Sequence, residues 1–204
     1  MPEDIFEELD IPRKEKKEQE NSLEICTRIL KDVQQYKTEE RKLEYLEKML
    51  VKNPDQATRR AIFVLMASLQ AQRKWFNTAA RSYSNAADLA STFREKIDLL
   101  LRSMLLFVKA QDYLEAEAVM RKALVLASEK EKPEVHKTLL NAYLQQAQEF
   151  ESSRALTKTI SVLTRALTLK IDKELEKEIK LKLANLYDRI GKPIEANKIR
   201  SEIR

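Results

Sequence analysis

Small residues recur along this chain at a nearly constant spacing, and no other feature limits the possible folds as strongly. A small residue is followed by a large one four positions later and by a second small one three positions after that, at Ala79/Tyr83/Ala86, Ala116/Met120/Ala123 and Thr159/Leu163/Ala166. Lys42 and Ala196 continue the series, so the five leading positions are 37, 37, 43 and 37 residues apart. Such a period is typical of helical solenoids, because small residues let two helices approach closely while the larger one fills the next groove.

The pattern of apolar residues between these positions is helical throughout. Apolar residues recur at helical spacing almost from end to end, and no run alternates convincingly as a strand would. Asp112 with Glu115 has the spacing of a capping box, while Pro133 and Pro193 fit first helical turns. These signals predict about ten helices, over residues 21–36, 39–51, 56–72, 75–91, 94–109, 112–130, 133–150, 154–170, 173–190 and 193–203. Short turns between neighbouring helices favour antiparallel hairpins.

The composition excludes several classes of catalytic and cofactor site. The chain has one glycine, Gly191, in 204 residues, whereas average proteins contain roughly 7% glycine. Phosphate-binding loops and dinucleotide-binding turns need several glycines. One His and one Cys cannot supply the four ligands of a usual structural zinc site. Paired acids lie among lysines, as on a solvated helix surface, and not as a buried acid/base pair. We therefore predict a non-enzymatic protein without a metal or a cofactor.

Charge and hydropathy divide the chain into two parts and predict its location. Residues 1–20 carry a net charge of −4, which leaves +9 on residues 21–204. We interpret residues 1–20 as an acidic amphipathic segment with a basic linker, and residues 21–204 as the repeat domain. The N-terminus does not resemble a signal peptide, and the longest apolar stretch, Leu99 to Val108, is too short to span a bilayer. These features predict a cytoplasmic protein that does not insert into membranes.

The last repeat resembles the tetratricopeptide repeat (TPR) family. Leu183-Ala184, Tyr187, Gly191 and Ala196 follow that family's spacing of large–small, aromatic, glycine and alanine. The resemblance covers about residues 21–204, although the period is 37 where the family has roughly 34, and four of five repeats lack the turn glycine. It implies an all-α fold, a right-handed superhelix of about five antiparallel helix pairs, that acts as a protein-binding scaffold or adaptor.

The resemblance also implies a concave groove lined by the first helix of each repeat. Its predicted residues are Val64, Ser68 and Ala71 in the second repeat, Leu101, Leu105 and Val108 in the third, and Lys137, Asn141 and Leu144 in the fourth. Independently, residues 61–67 and 99–108 are apolar nearly all round, so both sides of these helices must be covered. We predict that a peptide or amphipathic helix binds there. The alternatives are a closed groove that is only core, and a homodimer interface.

A basic stripe supports an alternative function. Arg154, Lys158 and Arg165 share one helix face, and no acid occurs from Ser152 to Ile171. Clustered bases with few acids between them are typical of phosphate-binding surfaces. The alternative is therefore a module that binds nucleic acid or acidic proteins.

The N-terminal segment is both acidic and apolar. Residues 3–11 contain five acids together with Ile5, Phe6, Leu9 and Ile11, and as a helix Ile5 and Leu9 share one stripe. This pattern is typical of a groove-binding helix. One hypothesis is that the segment folds back over Leu101 and Leu105, and another is that a partner binds it. A helix that caps the first hairpin would use the same apolar residues.

Two further predictions concern the turns inside the repeats. Gly191 should follow a helix that ends near Ile190, in the left-handed conformation that glycine adopts most easily. In the fourth repeat, assigning Leu139-Leu140 and Tyr143 to the large–small–aromatic positions leaves seven additional residues between Ala147 and Arg154. Those residues would extend both helices or form a longer loop.

Overall fold

The computed structural model describes residues 24–25, 27–52 and 54–203, which contain ten α-helices and no strand. The predicted groove ligand Ile5, Phe6, Leu9 and Ile11 lies outside the described residues, and its interaction stays a prediction. The helices are α1 (24–25 and 27–34), α2 (Glu39–Val51), α3 (Gln56–Gln72), α4 (Phe76–Asp88), α5 (Phe93–Lys109), α6 (Tyr113–Leu126), α7 (Lys132–Ser152), α8 (Leu156–Ala166), α9 (Lys173–Arg189) and α10 (Pro193–Ile203). The predicted all-α fold is confirmed, with α4, α6 and α8 ending three or four residues earlier than expected.

The described residues divide into two compact units, and the boundary falls within α5, between Ser103 and Met104. In the first unit α3 packs against both α2 and α4. A core cluster there includes Ile29 from α1, Leu46 from α2 and Ile62 from α3. In the second unit α7 packs against α8 and α9 against α10, with further contacts between α6 and α7 and between α8 and α9. Within each unit these helices therefore pack against their neighbours in the chain.

The small residues of the repeat occupy equivalent places in the structure. The fourth residue of α2, α4, α6, α8 and α10 is Lys42, Ala79, Ala116, Thr159 and Ala196, respectively. The last four are 0% exposed, as expected where two helices approach closely. Lys42 is half-buried, so the first repeat departs from this pattern.

Four turns between helices share one backbone structure, which we call the corner. Each corner has one residue with a left-handed backbone: Lys74 (φ 61°), Gln111 (φ 63°), Arg154 (φ 59°) and Gly191 (φ 75°). That residue donates its amide to the carbonyl three residues earlier, and the next amide donates to the carbonyl five residues earlier, at 2.8–3.0 Å. This is the Schellman arrangement that ends helices. The prediction for Gly191 is confirmed, and three corners adopt the same conformation without glycine.

Counting back from the corner corrects the prediction for the fourth repeat. Ala147 and Phe150 stand seven and four residues before Arg154, as Ala184 and Tyr187 stand before Gly191. No additional residues lie between Ala147 and the corner, so that prediction was wrong. The additional length lies at the other end of the helix: α7 has 21 residues, whereas α3, α5 and α9 have 17.

The corners predict opposite effects of substitutions at equivalent positions. We expect Gly191→Val to lower the free energy of unfolding by about 1 kcal/mol or more, because a β-carbon disfavours positive φ. No atom lies within 4 Å of that β-carbon, so backbone strain is the main cost. Lys74→Gly should raise stability by about 0.5 kcal/mol, because it relieves the strain of a left-handed lysine. Thermal melts of wild type and both variants test these two effects. Equal melting temperatures for Gly191→Val and Lys74→Gly would contradict the prediction. Gly191→Asn, which tolerates the left-handed region, is the control and should lose less.

A capped helix start predicts a pH-dependent contribution to stability. Asp55 precedes α3 and accepts hydrogen bonds from the Thr58 amide (3.0 Å) and the Thr58 hydroxyl (2.6 Å). These bonds, that of the hydroxyl first, lower the pKa of Asp55 below its usual 3.8. The stabilisation is therefore complete above about pH 4 and is lost as the pH falls through the lowered pKa. We expect Asp55→Ala to cost about 1 kcal/mol at pH 7. Asp55→Asn, which still caps, should cost little and remove this pH dependence in urea titrations at pH 3 and 7.

Candidate protein-binding surfaces

The predicted groove residues of the second repeat form one accessible stripe on α3. Val64, Ser68 and Ala71 are all partly buried, whereas Ala61, one turn earlier on the same face, and Ile62, on the opposite face, are buried. The Ser68 hydroxyl donates to the Val64 carbonyl at 3.1 Å and lies 3.4 Å from the hydroxyl of Tyr83. Its hydrogen-bonding capacity is thus used within the helix pair. The accessible stripe of α3 is consequently mainly apolar.

The equivalent stripe on α5 is shorter than predicted. Leu101 and Leu105 are one turn apart and partly buried, and Asp98 precedes them on the surface. Val108, in contrast, is only 1% exposed, so it offers no surface to a ligand in this structure. An all-round apolar helix does not reveal from its sequence which of its sides remains uncovered. The accessible part of the predicted α5 stripe therefore consists of the two leucines.

The fourth repeat contributes a different set of residues from the predicted one. Counted from the corner, Asn141 and Leu144 on α7 are equivalent to Asp98 and Leu101 on α5, and Gln148 and Glu151 are equivalent to Leu105 and Val108. Lys137 falls in the N-terminal extension of α7, one turn before the equivalent positions. Lys137 and Asn141 are exposed, and Leu144 is partly buried. The predicted register therefore differs by seven residues from the one counted back from Arg154, and binding through Lys137, Asn141 and Leu144 stays a prediction.

Glu151 makes the α7 stripe of the second unit charged as well as polar. Its carboxylate lies 2.6 Å from the Lys182 Nζ and 3.8 Å from the Arg189 Nη1. Both bases belong to α9, which also carries the exposed residue Leu181. This stripe therefore joins an ion-pair network to isolated leucines and lacks the adjacent pair of leucines that α5 carries.

The three bases of the predicted basic stripe have different roles. Arg154 is the left-handed corner residue and is exposed. The Lys158 Nζ lies 5.4 Å from the ring centroid of Phe150, within range of a cation–π interaction. The Arg165 guanidinium lies 5.1 Å from the ring centroid of Tyr113. Aromatic rings accompany two of the bases, which the sequence pattern did not show.

Arg165 is part of a polar cluster that joins α6, α7 and α8. The Arg165 Nη1 lies 3.0 Å from the Glu117 Oε1, and the Tyr143 hydroxyl donates to the same oxygen at 3.2 Å. Tyr143 also packs edge-on against Tyr113, with ring centroids 5.7 Å apart. Burial, followed by the neighbouring Glu117 carboxylate, raises the pKa of the Tyr143 hydroxyl, so Tyr143 stays a neutral donor. One of the three predicted surface cations is therefore held in an ion pair within the fold.

Neither the sequence comparisons nor a metal-binding cluster in the described residues assigns this chain an activity. Comparison of the sequence with protein-family models and with curated proteins gives no match. Within the part of the chain that the structure describes, no group of three or more His, Cys, Asp or Glu residues is placed to hold a metal ion. None of the described helices is long and apolar enough to cross a membrane. The accessible surfaces of the helices are therefore the candidate functional features of this chain.

Proposed function

We propose that this chain is a TPR-like scaffold, a right-handed superhelix of about five antiparallel helix pairs. Two described features support the proposal. A small residue stands at the fourth position of α4, α6, α8 and α10, and the same corner precedes it in each of these four repeats. Repeats of this kind cannot bury their apolar faces alone and are covered by neighbouring repeats. The spacing of 37 or 43 residues between leading positions, against roughly 34 in that family, makes it a long-repeat variant.

We further propose that the scaffold binds an amphipathic helix or an apolar peptide through the first helices of its pairs. The observation that supports this most is the pair of Leu101 and Leu105, which remain partly accessible on a helix whose Leu100 and Met104 are buried. The apolar stripe of α3 in the first unit has the same character. Partly exposed leucines one turn apart are the anchors that helix-in-groove recognition uses. Packing within the fold does not account for two leucine side chains that remain partly accessible.

A binding experiment with matched charge substitutions tests this function. Leu101→Glu/Leu105→Glu introduces two carboxylates on the proposed surface, and Leu114→Glu/Val125→Glu introduces two on α6, where both side chains are exposed (69% and 84%). We expect the first variant to retain at least tenfold less protein from a cell extract than wild type does. The second variant should retain the same amount as wild type. Circular dichroism melts establish that both variants are folded. Equal retention by the two variants would contradict the proposal.

Self-association through the same surface is a distinguishable outcome. In that case the wild-type chain would elute as a dimer, and only Leu101→Glu/Leu105→Glu would shift it to a monomer in light-scattering chromatography. If the surface binds a different protein instead, both variants should have the wild-type oligomeric state. A monomer in all three samples supports the scaffold function over the dimer interface.

A further inference from the structure

The second unit contains an open cleft away from the first-helix surface. It lies between α8 and the turn that joins α9 to α10 and has a volume of about 450 Å³, which is within the usual range of ligand sites. Three hydroxyl residues of α8, Thr157, Ser161 and Thr164, line one side. The Thr164 hydroxyl donates to the Ile160 carbonyl at 2.9 Å, while Thr157 and Ser161 are exposed. The α8 side of the cleft therefore presents hydroxyl groups to a ligand.

The cleft is cationic. Arg165 and Lys192 line it, and none of its described lining residues is acidic. The pair of Arg165 with Glu117 uses Nη1, and a guanidinium has five N–H donors in all. Lys192 is only 3.8 Å from Glu195, with both side chains about half-exposed, so this pair contributes little. The first turn of α10 begins next to Lys192, at Pro193, and adds the positive end of a helix dipole.

The remaining wall of the cleft is apolar. Tyr187 and Ile190, both partly buried, line it, and Ile160, only 7% exposed, forms part of its floor. These side chains belong to α8, to the cap of α9 and to α9 itself. A small apolar side chain can therefore be held beside the two cations. This combination distinguishes the cleft from a surface that attracts any polyanion, because a sugar–phosphate backbone has no group that suits two isoleucines.

We propose that this cleft binds an acidic peptide segment of a partner protein, with an aliphatic or aromatic side chain next to the acids. The peptide carboxylates pair with Arg165 and Lys192 in charge-assisted hydrogen bonds, and the Ser161 hydroxyl donates a further bond. The apolar side chain of the peptide packs between Ile160 and Ile190. This is a second site, because none of the leucines of the first-helix surface lines it.

Fluorescence anisotropy with a labelled peptide, Asp-Glu-Leu-Glu-Asp-Phe, tests the site on the full chain. Lys192→Glu and Ser161→Glu place a carboxylate in the cleft at exposed positions, where substitution leaves the core intact. Lys198→Glu makes the same charge change on α10 outside the cleft and is the matched control. We expect both cleft variants to bind the peptide at least tenfold more weakly than wild type, and the control to bind within twofold of it. The uncharged analogue Asn-Gln-Leu-Gln-Asn-Phe should bind at least tenfold more weakly to wild type.

Several results would overturn the assignment. These are no binding of the acidic peptide to wild type, equal loss in Lys192→Glu and Lys198→Glu, or equal binding of the uncharged analogue. A single-stranded oligonucleotide that binds more tightly than the peptide and depends on Lys192 would assign the cleft to nucleic acid instead. The Leu101→Glu/Leu105→Glu variant should bind the peptide as wild type does, so failure here and failure of the scaffold function are separate results.

Discussion

Arg60→Ala should lower the free energy of unfolding by about 3 kcal/mol, the size expected when a buried ion pair loses one partner. The Arg60 side chain is nearly fully buried, and its Nε lies 3.0 Å from the Glu95 Oε1. The Nη1 also donates to the Ser91 hydroxyl at 2.8 Å and to the Leu89 carbonyl at 3.3 Å. One side chain thus ties α3 to the α4–α5 turn and to the first turn of α5. Removing it breaks these contacts and leaves a cavity.

Arg59→Ala is the matched control, since the neighbouring arginine is exposed on the same helix. Exposed substitutions of this kind usually change stability by less than about 0.5 kcal/mol. Urea titrations of both variants at pH 7 measure the difference. Equal midpoints for Arg59→Ala and Arg60→Ala would contradict the role given to the buried pair. Glu95→Gln should cost less than Arg60→Ala, because the two other hydrogen bonds of the guanidinium remain.

Ala79→Leu should destabilise the first unit by about 2 kcal/mol, through overpacking. Ala79 is the fourth residue of α4 and is fully buried, and α4 packs against α3. Three added carbons have no space there unless the two helices move apart. The substitution therefore tests whether the recurring small residue sets the distance between the helices of a pair.

Asn77→Leu, two residues earlier on the exposed side of α4, places the same leucine side chain where it meets no packed neighbour and should change stability by less than about 0.5 kcal/mol. Thermal melts followed by circular dichroism compare the two variants. If Ala79→Leu and Asn77→Leu have equal melting temperatures, the small residue at position 79 does not set the distance between the two helices of the pair.

Local signals in the sequence predicted most of the helices and turns. Asp112 accepts a hydrogen bond from the Glu115 amide at 3.4 Å, and Gly191 has the expected positive φ. Both depend on neighbours within a few residues, which a sequence displays directly. The corner at Lys74, Gln111 and Arg154 was not predicted, because backbone hydrogen bonds there outweigh the side-chain preference against positive φ. Glycine marks such a turn, but its absence does not exclude one.

The fourth repeat shows why register is harder to predict than helicity. Tyr143 and Ala147 are both buried and lie four residues apart, so either alignment places a large residue and a small one on the buried face. A longer helix with a continuous buried stripe offers several equivalent registers. Only the position of the corner distinguishes them, and that position is a backbone property.

Contacts between distant residues were beyond prediction from periodicity. Arg165 is 48 residues from its partner Glu117, and its spacing with Arg154 and Lys158 suggested only a basic helix face. The accessible side of α5 also depends on which neighbours cover Val108. The residues on each helix face follow from their spacing in the sequence. Which side chains form ion pairs, and which faces neighbouring helices cover, depends on packing that a single sequence does not display.

Site-specific photo-cross-linking tests most directly whether the first-helix surface binds protein partners. A photoreactive amino acid replaces Leu105 in one variant and Val125, exposed on α6, in the other. Our account predicts that the residue at position 105 forms discrete cross-links to protein in cell extract, and that the residue at position 125 does not. Discrete cross-links from position 125 alone, or none from position 105 in a folded variant, would contradict it.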